Sequence, residues 1–197
     1  MMELISAHRR ALAGALAGLT ADQWHGESMC AGWTPAHVLA HQTMPFRISA
    51  KEFMAGLQRC GGDFTTFSDD VAERDSHIPP GELVAVLRDN ADNPWSPPGG
   101  GMAGALSHDV IHGLDIGWPL GLRYEIPERA ITIILDGIAR ENYFGFSLDG
   151  IRASATDLDW SAGDGDELAG QSRDLLMLLA GRRVPASRFR GAAAARL

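Results

Sequence analysis

Cysteine is scarce in this chain of 197 residues, which has only Cys30 and Cys60. Two such residues make neither a disulfide framework nor a Cys-x-x-Cys redox or zinc motif, so reduced thiols are expected. Lysine is scarcer still, with Lys51 the single example, while arginine, alanine and glycine abound. Excess positive charge is also missing. The balance of 17 basic against 25 acidic residues gives a formal charge of -8, which opposes general attraction to nucleic acid or to an anionic membrane. Arg182, Arg183, Arg188, Arg190 and Arg196 make a locally basic tail, but only Phe189 is interleaved there to stack on a base, so a solvated end is the expectation. Long apolar runs are absent, and no stretch approaches the roughly 18 residues needed to span a bilayer. Arg9-Arg10 and the run Ala11 to Leu19 resemble an export signal only superficially. Ile5, Leu12, Leu16 and Leu19 recur at helical spacing and predict an amphipathic first helix. The expectation is a cytoplasmic protein with no nucleic-acid or membrane partner.

What is present is enough apolar residue, 45% of the chain, to bury one sizeable core. The pattern is mainly helical. A first helix is expected from Glu3 to about Leu19, followed by a connector through Trp24 and Gly32. Thr34 is an N-cap candidate with Pro35 at the first helical position, which predicts one long helix reaching toward Gln58. The polar stretch Asp63 to His77 reads as loop with at most one helical turn. Leu83, Val86 and Leu87 predict a helix ending near Asn90, and Asn93 to Gly101 is a loop by composition. Further helices are expected from Met102 to about Gly117 and from Pro127 toward Tyr143. Beyond that the character changes. Ile151, Ala153 and Ala155 alternate with polar residues in the period of a strand that Leu158 and Trp160 could extend; Gly163 to Asp166 form a turn and Arg173 to Ala180 a short last helix. These elements divide into a helical bundle over 1–148 and a short strand-turn-helix segment over 149–197.

The chemistry is concentrated in Ser107-His108-Asp109-Val110-Ile111-His112-Gly113-Leu114-Asp115. His108 and His112 are one helical turn apart, so both imidazoles can face one metal ion. His41, on the preceding long helix, is the best candidate for a third ligand. Three ligands with an open position are a catalytic rather than a structural arrangement. Asp115, three residues after His112, is placed to accept a hydrogen bond from its ring and orient it. His37 and His41 are a second pair at the same spacing, so a four-histidine site is conceivable, although His37 sits in the first turn and can equally face solvent. Cys30 precedes a helix start, where the dipole can activate a thiol, but a lone cysteine is more often a small buried apolar residue. Asp157, Asp159, Asp164 and Asp166 lack the register of a calcium loop. Gly99, Gly100 and Gly101 lack the Lys and Ser/Thr of a phosphate loop, and read as a flexible approach to the histidine-bearing helix.

The segment Cys30-Ala31-Gly32-Trp33-Thr34-Pro35-Ala36-His37-Val38-Leu39-Ala40-His41 resembles the opening of the mycothiol-dependent maleylpyruvate isomerase family within the DinB-like superfamily. His112-Gly113-Leu114-Asp115-Ile116 with Pro119-Leu120-Gly121 is similar to a second block of that family. Ala155 to Trp160, Gly163-Asp164-Gly165, Gly170, Asp174-Leu175-Leu176 and Gly181-Arg182 resemble its closing segment. The resemblance implies a DinB-like four-helix bundle with a small C-terminal strand/helix appendage. It also implies a divalent metal, usually zinc, held by His41, His108 and His112. The isomerase itself has Glu in the place of His108, whereas DinB-like relatives often use His. Three neutral imidazoles leave a full +2 charge, which favours an anionic fourth ligand, and they suit nickel, iron and copper as well as zinc. The isomerase is also expected to carry a fuller C-terminal domain than the segment after Gly150.

The activity this resemblance implies is isomerisation or thiol transfer through a metal-bound thiolate, with mycothiol as thiol cosubstrate and a small electrophile as partner. The arginine-rich, lysine-poor composition fits the actinobacteria that make mycothiol. A metal-dependent hydrolase using hydroxide, or a non-catalytic metal-binding stress-response protein, would use the same three histidines. A homodimer is left open.

Overall fold

The computed structural model describes residues 1–197, which divide into two compact units, Met1–Glu125 and Ile126–Leu197. The chain is mainly α-helical, with its strands confined to the second unit.

The first unit runs α1 (Met2–Leu16), α2 (Ala21–Trp24), α3 (Pro35–Arg47), α4 (Ala50–Arg59), α5 (Phe64–Asp75), α6 (Pro80–Asp89) and α7 (Gly101–Gly117). Four of these make the bundle: α1 packs on α6 and α7, and α3 packs on the same two helices. Apolar residues one turn apart supply the seam. Leu12 and Leu16 of α1, Leu83 and Leu87 of α6, and Leu39 of α3 are buried in one cluster with Ile116 of α7. Each such side chain stabilises the fold by about 1.5–3 kcal/mol.

Two expectations for this unit are corrected. The single long helix from Pro35 toward Gln58 is two helices, α3 and α4, separated at Ile48 and Ser49. Pro45 has no N–H to give the carbonyl of His41, which weakens the end of α3. Ser49 then starts a new helix with a reciprocal cap: its hydroxyl accepts the Glu52 N–H at 3.2 Å, and the Glu52 carboxylate accepts the Ser49 N–H at 2.8 Å. The stretch expected to be loop between Asp63 and His77 is the helix α5. Asp63 caps it through the Thr65 N–H at 2.9 Å. Phe67, Ser68, Val71 and Ala72 give α5 a narrow buried stripe, and it packs on α3. Its other face is acidic and threonine-rich, which makes the average composition that of a loop.

The second unit holds α8 (Glu128–Glu141), β1 (Ile151–Ala155), β2 (Ser161–Ala162), β3 (Asp166–Gly170), α9 (Ser172–Leu179) and β4 (Phe189–Arg190). The sheet order is β2-β1-β3-β4, with β1 and β3 parallel in the register Ile151↔Asp166 to Ala155↔Gly170. The strand does not continue through Leu158 and Trp160. Asp157 instead turns to α9, accepting from the Ser172 N–H at 2.7 Å and the Ser172 hydroxyl at 3.0 Å, while the Trp160 indole N–H donates to Asp136 of α8 at 2.9 Å. The tail is therefore a four-stranded sheet rather than a single strand. Its basic residues are partly neutralised, since Arg188 pairs with Asp174 and Arg196 with Asp166.

Candidate metal centre

His41 projects from α3, and His108 and His112 project from α7, the neighbouring bundle helix. The ring nitrogens these three offer all lie within 4.8 Å of one another. The closest approach is 3.3 Å, between Nε2 of His41 and Nε2 of His108. Two nitrogens at about 2.0–2.1 Å from one tetrahedral ion are about 3.3 Å apart, so this spacing fits a shared cation. The rings sit edge to face, with centroids 4.8 Å apart for His41 and His112 and 4.9 Å for His108 and His112.

The other nitrogen of every ring is engaged. Nδ1 of His41 is 2.8 Å from the Ser68 hydroxyl on α5. Nδ1 of His108 is 3.1 Å from Oδ1 of Asp109, and Nδ1 of His112 is 3.0 Å from Oδ2 of Asp115. A carboxylate can only accept, so His108 and His112 carry their proton on Nδ1 and ligation falls to Nε2. Partners of this kind fix the tautomer and raise the basicity of a metal-binding imidazole. Burial holds the His41 imidazole well below its ordinary range, and the neighbouring His112 and His108 push in the same direction, against Asp115. His41 is therefore neutral near pH 7, the form that binds metal. By burial alone Asp109 would be raised, but its hydrogen bond to His108 and the charges of His108, Arg9 and His8 hold it below the usual carboxylate range.

Access is one-sided. His41 is 6% exposed, whereas the side chains of His108 and His112 are 15% and 16% exposed. Two indoles flank the cluster, Trp33 at 5.2 Å from the His41 ring and Trp95 at 5.3 Å from the His108 ring. Trp33 reaches His41 because Gly32 takes φ +82°, a turn that side-chain-bearing residues rarely adopt. The same loop is anchored to α7: the Met29 N–H donates to the Asp115 carbonyl at 2.9 Å, and the Cys30 thiol donates to Oδ2 of Asp115 at 3.0 Å. Cys30, His112 and Asp115 thus form a second cluster of ligand-type atoms.

His37 takes no place in either cluster. Its Nδ1 meets the Thr34 hydroxyl at 2.7 Å at the start of α3, and its Nε2 faces Glu73 at 2.9 Å.

Three comparisons bear on this site. The family described as Mycothiol maleylpyruvate isomerase N-terminal domain matches residues 5–93. This part of the chain is similar to that domain. Two solved structures of the mycothiol-dependent maleylpyruvate isomerase, one of them a histidine-to-alanine mutant, have TM-scores of 0.64 and 0.65 against this chain. Their identities are 15% and 16%, and each match covers 98% of this chain and 92% of that chain. No curated protein matches. At such identity the structural likeness speaks for the fold alone. It also runs against the expectation of a fuller C-terminal domain in the isomerase, because the match leaves only a small part of that chain uncovered.

The isomerase N-terminal domain match includes His41 and ends before α7, so the case for His108 and His112 rests on their geometry. Ser68, Asp109 and Arg9 were missed in the sequence. Asp109 was within view, directly beside His108, but Ser68 lay in a stretch read as loop.

Proposed function

We propose that this chain is a mycothiol-dependent, isomerase-like protein that holds one divalent metal through His41, His108 and His112. The observation that carries this reading is the convergence of three imidazoles whose Nδ1 atoms are each engaged by Ser68, Asp109 or Asp115, in a chain whose N-terminal part is of the isomerase type. Zinc is the metal of choice for this all-nitrogen set, and nickel or iron is compatible with it.

A divalent ion here supplies a Lewis acid that favours the thiolate form of a bound low-molecular-weight thiol near neutral pH. The chain's own residues do the rest. Ser68, Asp109 and Asp115 hold the three rings in place, and neutral His41 leaves the positive charge on the ion undiluted. Trp33 and Trp95 restrict water beside the site and offer flat apolar walls to a small electrophile. The thiolate sulfur adds to one carbon of a C=C bond conjugated to a carbonyl, breaking the π bond and moving its electron pair onto the carbonyl as an enolate; after rotation about the former double bond the pair returns, the C–S bond breaks, and the thiol is released unchanged with the substrate isomerised. If instead the enolate carbon takes up the proton that the thiol gave up, the C–S bond persists, the product is a thioether and the reaction is a transfer.

The test is turnover of maleylpyruvate and related conjugated electrophiles by zinc-loaded protein, with and without mycothiol. Consumption that requires mycothiol supports the reading. Turnover that is indifferent to thiol contradicts it and points to hydrolysis.

A further inference from the structure

The carboxylate of Asp109 is divided between two partners. Its Oδ1 is 3.1 Å from Nδ1 of His108, and its Oδ2 accepts from Nε of Arg9 at 2.6 Å. Both residues are shut off from solvent, Arg9 at 0% and Asp109 at 1% exposure. We propose that Arg9, on the first helix, is a positioning residue for His108, acting through Asp109.

A terminal carboxylate rotates broadly about its last torsion, so sequence adjacency alone does not aim Asp109 at His108. Arg9 clamps one oxygen and thereby presents the other to the ring. Arg9 is itself fixed: Nη1 donates to the carbonyls of Asn90 at 3.0 Å and Asn93 at 2.8 Å, and its guanidinium lies 4.9 Å from the centre of the Phe46 ring. Phe46 stacks edge-on with Trp95 at 6.5 Å, and Trp95 with His108 at 5.3 Å. His108 is thus braced from two directions, through a carboxylate and through two aromatic rings, and both routes converge on Arg9. An ion pair that only joined α1 to α7 would need a positive charge and nothing more. Arg9 instead gives Nε to the carboxylate and Nη1 to two carbonyls at fixed angles, which a lysine ammonium cannot do together. The consequence for His108 is a proton kept on Nδ1, with Nε2 turned toward His41.

This inference rests on the reading of His108 as a metal ligand, and its test separates the two. Arg9→Lys and Arg9→Met are compared with the unmodified chain by nitrogen-15 NMR of metal-free protein, at a pH where the rings are neutral, and by zinc competition with a chromophoric chelator. In Arg9→Lys the helical circular dichroism is expected to persist. The His108 nitrogen shifts should leave the Nδ1–H form for a mixture of tautomers while those of His112 stay, and zinc affinity should fall about tenfold. Arg9→Met should act in the same direction and further; where it does not fold, Arg9→Lys decides. Unmoved His108 shifts in a folded Arg9 variant overturn the proposal, even with a lower melting temperature, because Arg9 is then only a link between helices. Failure of the unmodified chain to bind zinc refutes the ligand reading, while the tautomer result is judged on metal-free protein.

Discussion

At the scale of single residues the candidate metal site turns on which nitrogen each histidine offers. His112→Ala is expected to lose bound metal and keep its helical circular dichroism, because the residue contributes to α7 nothing that Ala lacks as a helix former. His37→Ala should leave metal content unchanged, since both its ring nitrogens are spent on Thr34 and Glu73; a large loss would make it a ligand. Asp115→Asn should weaken zinc binding about 10- to 100-fold, the usual effect of disturbing a partner behind a ligating imidazole, measured by chelator competition. That His108, His112 and Asp115 share one side of α7 was legible in the sequence because the helical repeat fixes which residues share a face; His41 lies on α3, and its meeting with them depends on how the two helices pack, which no local repeat encodes. Arg9 was not legible. It meets Asp109 across a sequence separation of 100 residues, and no local pattern distinguishes a buried arginine from the adjacent Arg10, which is exposed and pairs with Asp92.

At the scale of elements, α7 must approach α1 closely to bring its histidines into line, and Gly113 allows this. A Cβ at that position would lie 3.0 Å from Nε2 of His8, 3.0 Å from Leu12 and 2.9 Å from the Tyr124 hydroxyl. Gly113→Ala is therefore expected to destabilise the chain by about 1–3 kcal/mol in urea unfolding, despite the better helix propensity of alanine. The end of α5 carries a second testable feature. Asp75 is 7% exposed and pairs with Arg47 and Arg74. Burial would raise its carboxyl, but the hydrogen bonds from Arg74 and Arg47 outweigh this and hold it below the ordinary value. A depressed carboxylate contributes stability that is present above its unfolded value near 3.8 and is lost as pH falls through the folded one. Asp75→Asn should lower stability at neutral pH and remove part of the acid-induced loss, seen as a flatter melting temperature below about pH 4; an unchanged acid limb contradicts this. Helix boundaries set by caps and prolines are legible where cap and proline coincide, as at Thr34-Pro35. The Ser49/Glu52 cap was equally visible, but the apolar run around it suggested continuity. The helix α5 was hidden by composition, because a helix lying on one neighbour needs only a narrow apolar stripe.

At the scale of the whole molecule, the change from helical to alternating periodicity after Gly150 marks where the strands begin, but the second unit starts earlier, at Ile126, and takes in α8. The four-stranded sheet was not foreshadowed. Its β2 and β4 have two residues each, too short to show a period. No helix is long and apolar enough to cross a membrane. The central claim, that one divalent ion is held jointly by α3 and α7, is open to a single direct measurement: metal per chain after zinc loading and exhaustive dialysis, for the unmodified protein and for His41→Ala, His108→Ala and His112→Ala. One zinc per unmodified chain is expected, and a loss of most of it in each variant, with folding retained. Full occupancy in any folded variant, or no retained zinc in the unmodified chain, would contradict the claim.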